Sequence, residues 1–132
     1  MSLAEARVGD ALPELTVDVT TTLVVAGALA SRDYQDVHHD RALAEVAGAK
    51  DVFMNILTTN GFVGRFVTDW AGPNALLKKV SIRLGAPNYP GDVMRMTGSV
   101  SRVDGAEVDV EVRGANSLVD HVTGTVTLEP PL

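Results

Sequence analysis

Asn-Ile-Leu-Thr-Thr-Asn-Gly-Phe-Val-Gly-Arg-Phe-Val-Thr-Asp-Trp-Ala-Gly-Pro, residues 55 to 73, is the stretch on which the fold turns. Ile56, Val63, Phe66, Val67 and Trp70 recur at the 3.6-residue spacing of a helix with one apolar face, and Gly72-Pro73 stops it. Asn55, or Asp51 upstream, is placed to cap its start. Gly61 and Gly64 inside the pattern each cost about 1 kcal/mol against alanine. Close approach of the helix backbone to a sheet would offset that cost.

Beyond Pro73 the period changes from 3.6 to 2 and stays there. Val80, Ile82 and Leu84 alternate with Lys79, Ser81 and Arg83, and Met94, Met96, Gly98 and Val100 with Arg95, Thr97 and Ser99. Asp104-Gly105 is a two-residue hairpin signal leading to Val108, Val110 and Val112. Val122, Gly124, Val126 and Leu128 form the last alternating run, closed by Pro130-Pro131. Upstream, Met1 to Pro13 reads as a leader, and Leu15, Val17 and Val19 as a half-buried strand. The run from Thr20 to Ala30 is strand-like, its core Leu23 to Ala30 being either a buried strand or the approach to a helix. Asp40 is placed as the N-cap of a short helix that runs to about Ala49, with Gly48 near its stop. Strand, short helix, long apolar helix and four antiparallel strands satisfy an α+β arrangement, a long antiparallel sheet wrapped around one central helix. Residues 1–132 read as one domain, with no repeat or linker.

Composition narrows the function classes. A net charge of −6 and no basic cluster beyond Lys78-Lys79 argue against a nucleic-acid surface. The absence of cysteine removes disulfides, thiolate zinc sites and a thiol nucleophile together, and suits a cytoplasmic protein. No signal-peptide order and no apolar run near 20 residues is present, so a membrane role is not expected.

Between the first strand and the short helix lies Arg32-Asp33-Tyr34-Gln35-Asp36-Val37-His38-His39-Asp40, three carboxylates and two imidazoles in nine residues. Loops held by rigid elements carry chemistry, and a carboxylate with an imidazole can move protons on and off one water. Asp33 has a plainer reading as a turn or cap residue. Asp36, His38, His39 and Asp40 could be drawn as a metal site, but zinc needs three or four convergent ligands and only His121 remains elsewhere as imidazole, so no metal is expected.

The segment Asp33 to Asp40 resembles the MaoC-like, or hydratase 2, branch of the hotdog fold, whose motif sets a histidine five residues after an aspartate and an aspartate two further on. Asp33, His38 and Asp40 meet that spacing; Val52 to Thr58 looks like the family's entry into its central helix, and Asn88-Tyr89-Pro90-Gly91-Asp92 like its Pro-Gly-Asp turn. The chain departs from the family where Gln35-Asp36 replaces Asn-Pro and Met54-Asn55 replaces His-Gly. Its run from Arg32 to Arg41, with Thr68-Asp69-Trp70-Ala71-Gly72-Pro73, is more similar to one subgroup, the small MaoC-like subunits of steroid side-chain enoyl-CoA hydratases in cholesterol-degrading bacteria.

The resemblance implies a hotdog fold and reversible addition of water to a 2-enoyl-CoA thioester, with Asp33 and His38 as the acid–base pair. It implies that the backbone N–H of Asn55 meets the thioester oxygen and that Gln35 and Asp40 support the loop. Coenzyme A enters as part of the substrate, with no separate cofactor. A second MaoC-like hotdog subunit is the implied partner, in a hetero-oligomer or a homodimer, with the acyl-CoA tunnel between subunits. A hotdog thioesterase and a non-catalytic hotdog scaffold are the competing readings. His39 reads as a surface or supporting residue, and His121 as a satisfied or solvated strand histidine. Lys78, Lys79 and Arg83 are cations that coenzyme A phosphates could meet, though solvated strand faces are their commoner setting.

Overall fold

The computed structural model describes residues 3–130. Five strands, β1 (Leu15–Asp18), β2 (Leu76–Leu84), β3 (Val93–Asp104), β4 (Glu107–Ala115) and β5 (Asp120–Glu129), form one antiparallel sheet in the order β1-β3-β4-β5-β2. The helices α1 (Thr21–Ala30), α2 (Arg41–Val46) and α3 (Ile56–Ala71) lie between β1 and β2 in the chain. The sheet curls around α3, as the order of elements implied, and this is the hotdog arrangement that the resemblance implied.

Alternation explains the sheet. Met94, Met96 and Val100 of β3, Val108, Val110 and Val112 of β4, and Val122, Val126 and Leu128 of β5 are all buried on the inner face. Each such side chain is worth roughly 1.5–3 kcal/mol when fully buried. Gly98, Val112, Gly124 and Ile82 lie side by side across β3, β4, β5 and β2. The glycine in β3 makes room for the helix: a Cβ on Gly98 would stand 2.9 Å from the Phe66 ring and 2.8 Å from the Glu111 carbonyl.

The structure departs from the sequence reading in five places. Thr20 to Ala30 is not a strand; Thr21–Ala30 is helical, with the Thr20 side chain accepting from the Leu23 N–H. The run is apolar nearly all round, so no 3.6-residue signal separated a buried helix from a buried strand. Residues 3–13 are not a detached leader. Leu3, Ala6 and Leu12 enter the core, and Gly9, Asp10 and Leu12 bond to Val100 and Gly98. The four-residue β1 covers only Val93 to Met96 of the twelve-residue β3, and this segment covers the edge left open.

On α3 the buried positions are Thr59, Val63, Phe66 and Val67, whereas Ile56 is 51% exposed, because Thr59 rather than Ile56 continues the inward stripe. Gly61 and Gly64 do not abut the sheet backbone. Gly61 faces open space, and Gly64 meets only the Leu77 side chain at 3.9 Å. In β2 no residue is fully buried and Leu84 is exposed, as befits an edge strand paired on one side only.

Candidate active site

The site forms where α1 ends beside the start of α3. After Ala30 the chain reverses in a Schellman motif: Asp33 N–H bonds to the Ala28 carbonyl at 2.9 Å and Arg32 N–H to the Leu29 carbonyl at 3.1 Å. Arg32 holds the left-handed position at φ 56°, the one non-glycine residue with positive φ among the described residues. That conformation costs a side-chain-bearing residue about 1–2 kcal/mol. Asp33 is therefore placed by backbone bonds to α1 and not by a free loop.

A short 3-10 turn, Asp36–His38, brings the imidazole back to the carboxylate. His38 is 6% exposed. Its Nδ1 lies 2.7 Å from the Phe53 carbonyl, its Nε2 lies 3.3 Å from Asp33 Oδ2, and its ring meets Phe53 edge-on at 5.0 Å. A carbonyl only accepts, so Nδ1 carries a hydrogen and Nε2 faces the carboxylate. At 3.3 Å, Nε2 and Oδ2 face each other at ion-pair distance. Tight charge-assisted N–H···O bonds run about 2.7–2.9 Å. The 3.3 Å separation is looser than that.

The Asp33 carboxyl is held below its ordinary value. The first cause is a hydrogen bond from the Asn55 side chain, partly opposed by burial and reinforced by the Gln35 N–H and the charge on His38. Asn55 is 1% exposed. Its Nδ2 donates to Asp33 Oδ2 at 3.1 Å and to Ser31 Oγ at 2.9 Å. Its Oδ1 accepts from the Thr58 N–H at 3.1 Å and the Thr58 hydroxyl at 2.5 Å, capping α3. Among the described residues no protein acceptor takes the backbone N–H of Asn55, Ile56 or Leu57. Three N–H groups at the start of the 16-residue helix thus lack a protein acceptor; Ile56 and Leu57 are exposed, whereas Asn55 is buried.

The other sequence candidates fall around this centre. Gln35 touches Asp33 only through its backbone N–H, which reaches Oδ1 at 3.3 Å. Asp40 caps α2 by accepting from the Leu43 N–H at 3.1 Å. His39 points away, 4.0 Å from Asp36 at the surface. Lys79 and Arg83 are exposed on β2, and Lys78 pairs with Glu129 at 3.7 Å. His121 is buried and satisfied: its Nδ1 donates to the Ala86 carbonyl at 2.7 Å and its Nε2 lies 2.8 Å from the Thr59 hydroxyl. Among the described residues no three His, Cys, Asp or Glu side chains are gathered as a metal would require.

Sequence reasoning missed the Phe53 carbonyl and the hydrogen bonds of the Asn55 side chain to Asp33 and Ser31. Phe53 acts through its carbonyl, which no side-chain pattern reveals. The contact between α1 and α3 that joins Ser31 to Asn55 depends on Gly27, where a Cβ would collide with Thr58.

Two depressions flank the site or face away from it. An open, mainly apolar groove of about 360 Å³ runs between α1 and α3, with Leu23, Ala30, Leu57 and Phe62 on its walls, and ends at Ser31 and Thr58. A larger one of about 620 Å³ lies on the outer sheet face among Thr97, Ser99, Glu111, Arg113, Thr123 and Thr125. It holds no histidine and no helix terminus, so size does not mark the chemistry here.

A sheet curled around a capped helix, with an Asp–His pair at that helix's N-terminus, defines a class, and the chain belongs to the MaoC-like family: the MaoC-like domain model matches residues 5–122. Over 121 residues it is 52% identical to the 3-oxo-4,17-pregnadiene-20-carboxyl-CoA hydratase beta subunit of Mycobacterium tuberculosis, a match spanning 92% of this chain and 94% of that protein. A chain in the crystal structure of the ChsH1-ChsH2 complex from Mycobacterium tuberculosis superposes with a TM-score of 0.93 at 51% identity, covering 94% of this chain and 98% of that one. The unliganded R-hydratase PhaJ1 of Pseudomonas aeruginosa shares the fold, with a TM-score of 0.87 at 21% identity over 97% of this chain and 84% of that one.

Proposed function

We propose that the chain is the catalytic subunit of an enoyl-CoA hydratase that adds water reversibly to a bulky, steroid side-chain 2-enoyl thioester. The observation that carries this reading is a buried His38 whose Nε2 faces the Asp33 carboxylate at 3.3 Å, with that carboxyl held below its ordinary range first by the Asn55 hydrogen bond. The 52% identical relative, named as such a hydratase subunit, supports the substrate class.

In hydration, Asp33 takes a proton from water as the water oxygen attacks the β-carbon, and His38 delivers its Nε2 proton to the α-carbon. Asp33 is then protonated and His38 neutral, and transfer of one proton across their contact restores the starting state. Dehydration runs the same steps backward. The enolate-like oxygen that develops on the thioester needs donors, and the backbone N–H of Asn55 is assigned that role, with the α3 dipole adding to it. Gln35, through its N–H, and Asp40, through its cap on α2, keep the loop in register. The apolar groove beside Ser31 offers a wall for a large hydrocarbon group. A coenzyme A thioester metabolised without any other cofactor fits a cytoplasmic enzyme.

A second MaoC-like hotdog subunit completes the proposed assembly. The edge strand β2 leaves Leu76, Leu77 and Leu84 exposed, and the start of α3 leaves Ile56 and Leu57 exposed. Unpaired edges with apolar side chains favour pairing. The 51% identical chain comes from a structure of two components, ChsH1 and ChsH2, in complex, which supports a hetero-oligomer.

The test is the loss of conjugated enoyl-thioester absorbance, measured with the chain alone and with its partner, on a short-chain and a steroid side-chain enoyl-CoA. Hydration of the steroid thioester in preference to the short one is the predicted result. Thioester cleavage without hydration, or no turnover by the assembled complex, would refute the reading.

A further inference from the structure

We propose that the Asn55 side chain is a positioning residue for catalysis, which ties the Asp33 carboxylate to the first turn of α3 and to the end of α1 so that the base faces His38 in one orientation. This inference rests on the hydratase reading above and adds a residue to it. The role is separate from that of the Asn55 backbone.

Hydrogen-bond direction carries the argument. Ser31 spends its hydroxyl hydrogen on the Gly27 carbonyl at 2.7 Å, so its oxygen is an acceptor toward Asn55. The Thr58 backbone N–H can only donate, so the atom of Asn55 that faces it is the carbonyl oxygen. The Asn55 amide is thereby fixed with Nδ2 toward Asp33, and both its hydrogens and its oxygen are used. A flip would set its oxygen against a carboxylate and its amino group against an N–H. At 1% exposure no water can compensate that.

Capping alone does not explain the residue. A serine or aspartate caps a helix about as well as asparagine. Asparagine alone among these supplies the capping acceptor together with two donors aimed the opposite way. One donor meets Asp33 Oδ2, the carboxylate oxygen that also faces His38, and the other meets Ser31 Oγ at the end of α1. Oδ1, bonded only to the Gln35 N–H at 3.3 Å, keeps a lone pair for substrate water. A donor on Oδ2 favours the charged base and holds its plane.

The test compares wild type with Asn55→Ser and Asn55→Asp, each of which keeps a capping oxygen and removes the Nδ2 amide donors, in the chain assembled with its partner. Two readouts are taken: the pH profile of kcat and KM, and the titration of the Asp33 carboxyl carbon by NMR. Far-UV circular dichroism confirms that each variant is folded. The Asp33 titration midpoint should move to higher pH in both variants. The acid limb of kcat should move with it, and kcat should fall about tenfold to hundredfold with KM little changed, the scale of a misplaced catalytic group. An unmoved midpoint, with activity retained or lost evenly at every pH, would overturn the proposal and leave Asn55 a helix cap. A shifted midpoint in a wild type that hydrates nothing would overturn the hydratase reading beneath it.

Discussion

Replacing Arg32 tests whether Asp33 is placed by backbone geometry. Arg32 sits at φ 56° with no hydrogen bond or ion pair from its side chain among the described residues, so substitution there probes the main chain almost alone. A left-handed residue with a Cβ costs about 1–2 kcal/mol. Glycine removes that strain but loses about 0.5–1 kcal/mol more conformational freedom on folding. The balance is a stabilisation of roughly 0.5–1 kcal/mol for Arg32→Gly. For 132 residues the unfolding entropy near 60 °C is about 0.28 kcal/mol/K, so Tm should rise about 2–4 °C. Arg32→Val, with a branched Cβ in the same position, should fall below wild type. Thermal unfolding followed by circular dichroism at fixed protein concentration measures the series. A lower Tm for the glycine variant, or equal values for glycine and valine, would refute the left-handed turn and the placement of Asp33 that depends on it.

Gly98→Ala should destabilise the fold by about 1–3 kcal/mol, since its Cβ would crowd the Phe66 ring and the Glu111 carbonyl; adding Phe66→Leu should recover part of the loss, read as non-additive Tm changes. Asp40→Ala removes the cap of α2 and should cost about 1 kcal/mol in denaturant titration. Burial holds the His121 imidazole below its ordinary range, with the bond to Ala86 opposing. The unfolded chain therefore takes up its proton first: the stability His121 contributes is complete above about pH 6.5 and declines as pH falls below that value. Tm measured from pH 7.5 to 5 should fall more in wild type than in His121→Gln, and parallel curves would contradict the neutral buried state.

The sheet was legible because its signal is local. In β3, β4 and β5 every inward position named by alternation is buried, Met94 through Leu128, apart from the two glycines. The caps at Asp40 and Asn55 were legible for the same reason, a polar side chain three residues before the N–H it serves. What failed needed tertiary context. The helix α1 is apolar on all sides, so only its packing against α3 shows which face is inner. The covering of β3 by residues 9–12 depends on a mismatch in strand length, which no window of sequence contains. In the site, Asp33 and His38 were singled out by resemblance to the MaoC-like motif, and the structure sets them 3.3 Å apart. The groups that orient them, the Phe53 carbonyl and the Asn55 amide, lie 15 and 22 residues from their partners in the chain.

The central claim is that Asp33 and His38 act as the acid–base pair of a hydratase. It is tested most directly by the rate of enoyl-CoA hydration in the assembled complex carrying Asp33→Asn or His38→Ala. Each variant should lose about 10²- to 10⁴-fold in kcat, the usual contribution of positioned proton transfer, while assembling as wild type does. Wild-type turnover in either folded variant would contradict the account.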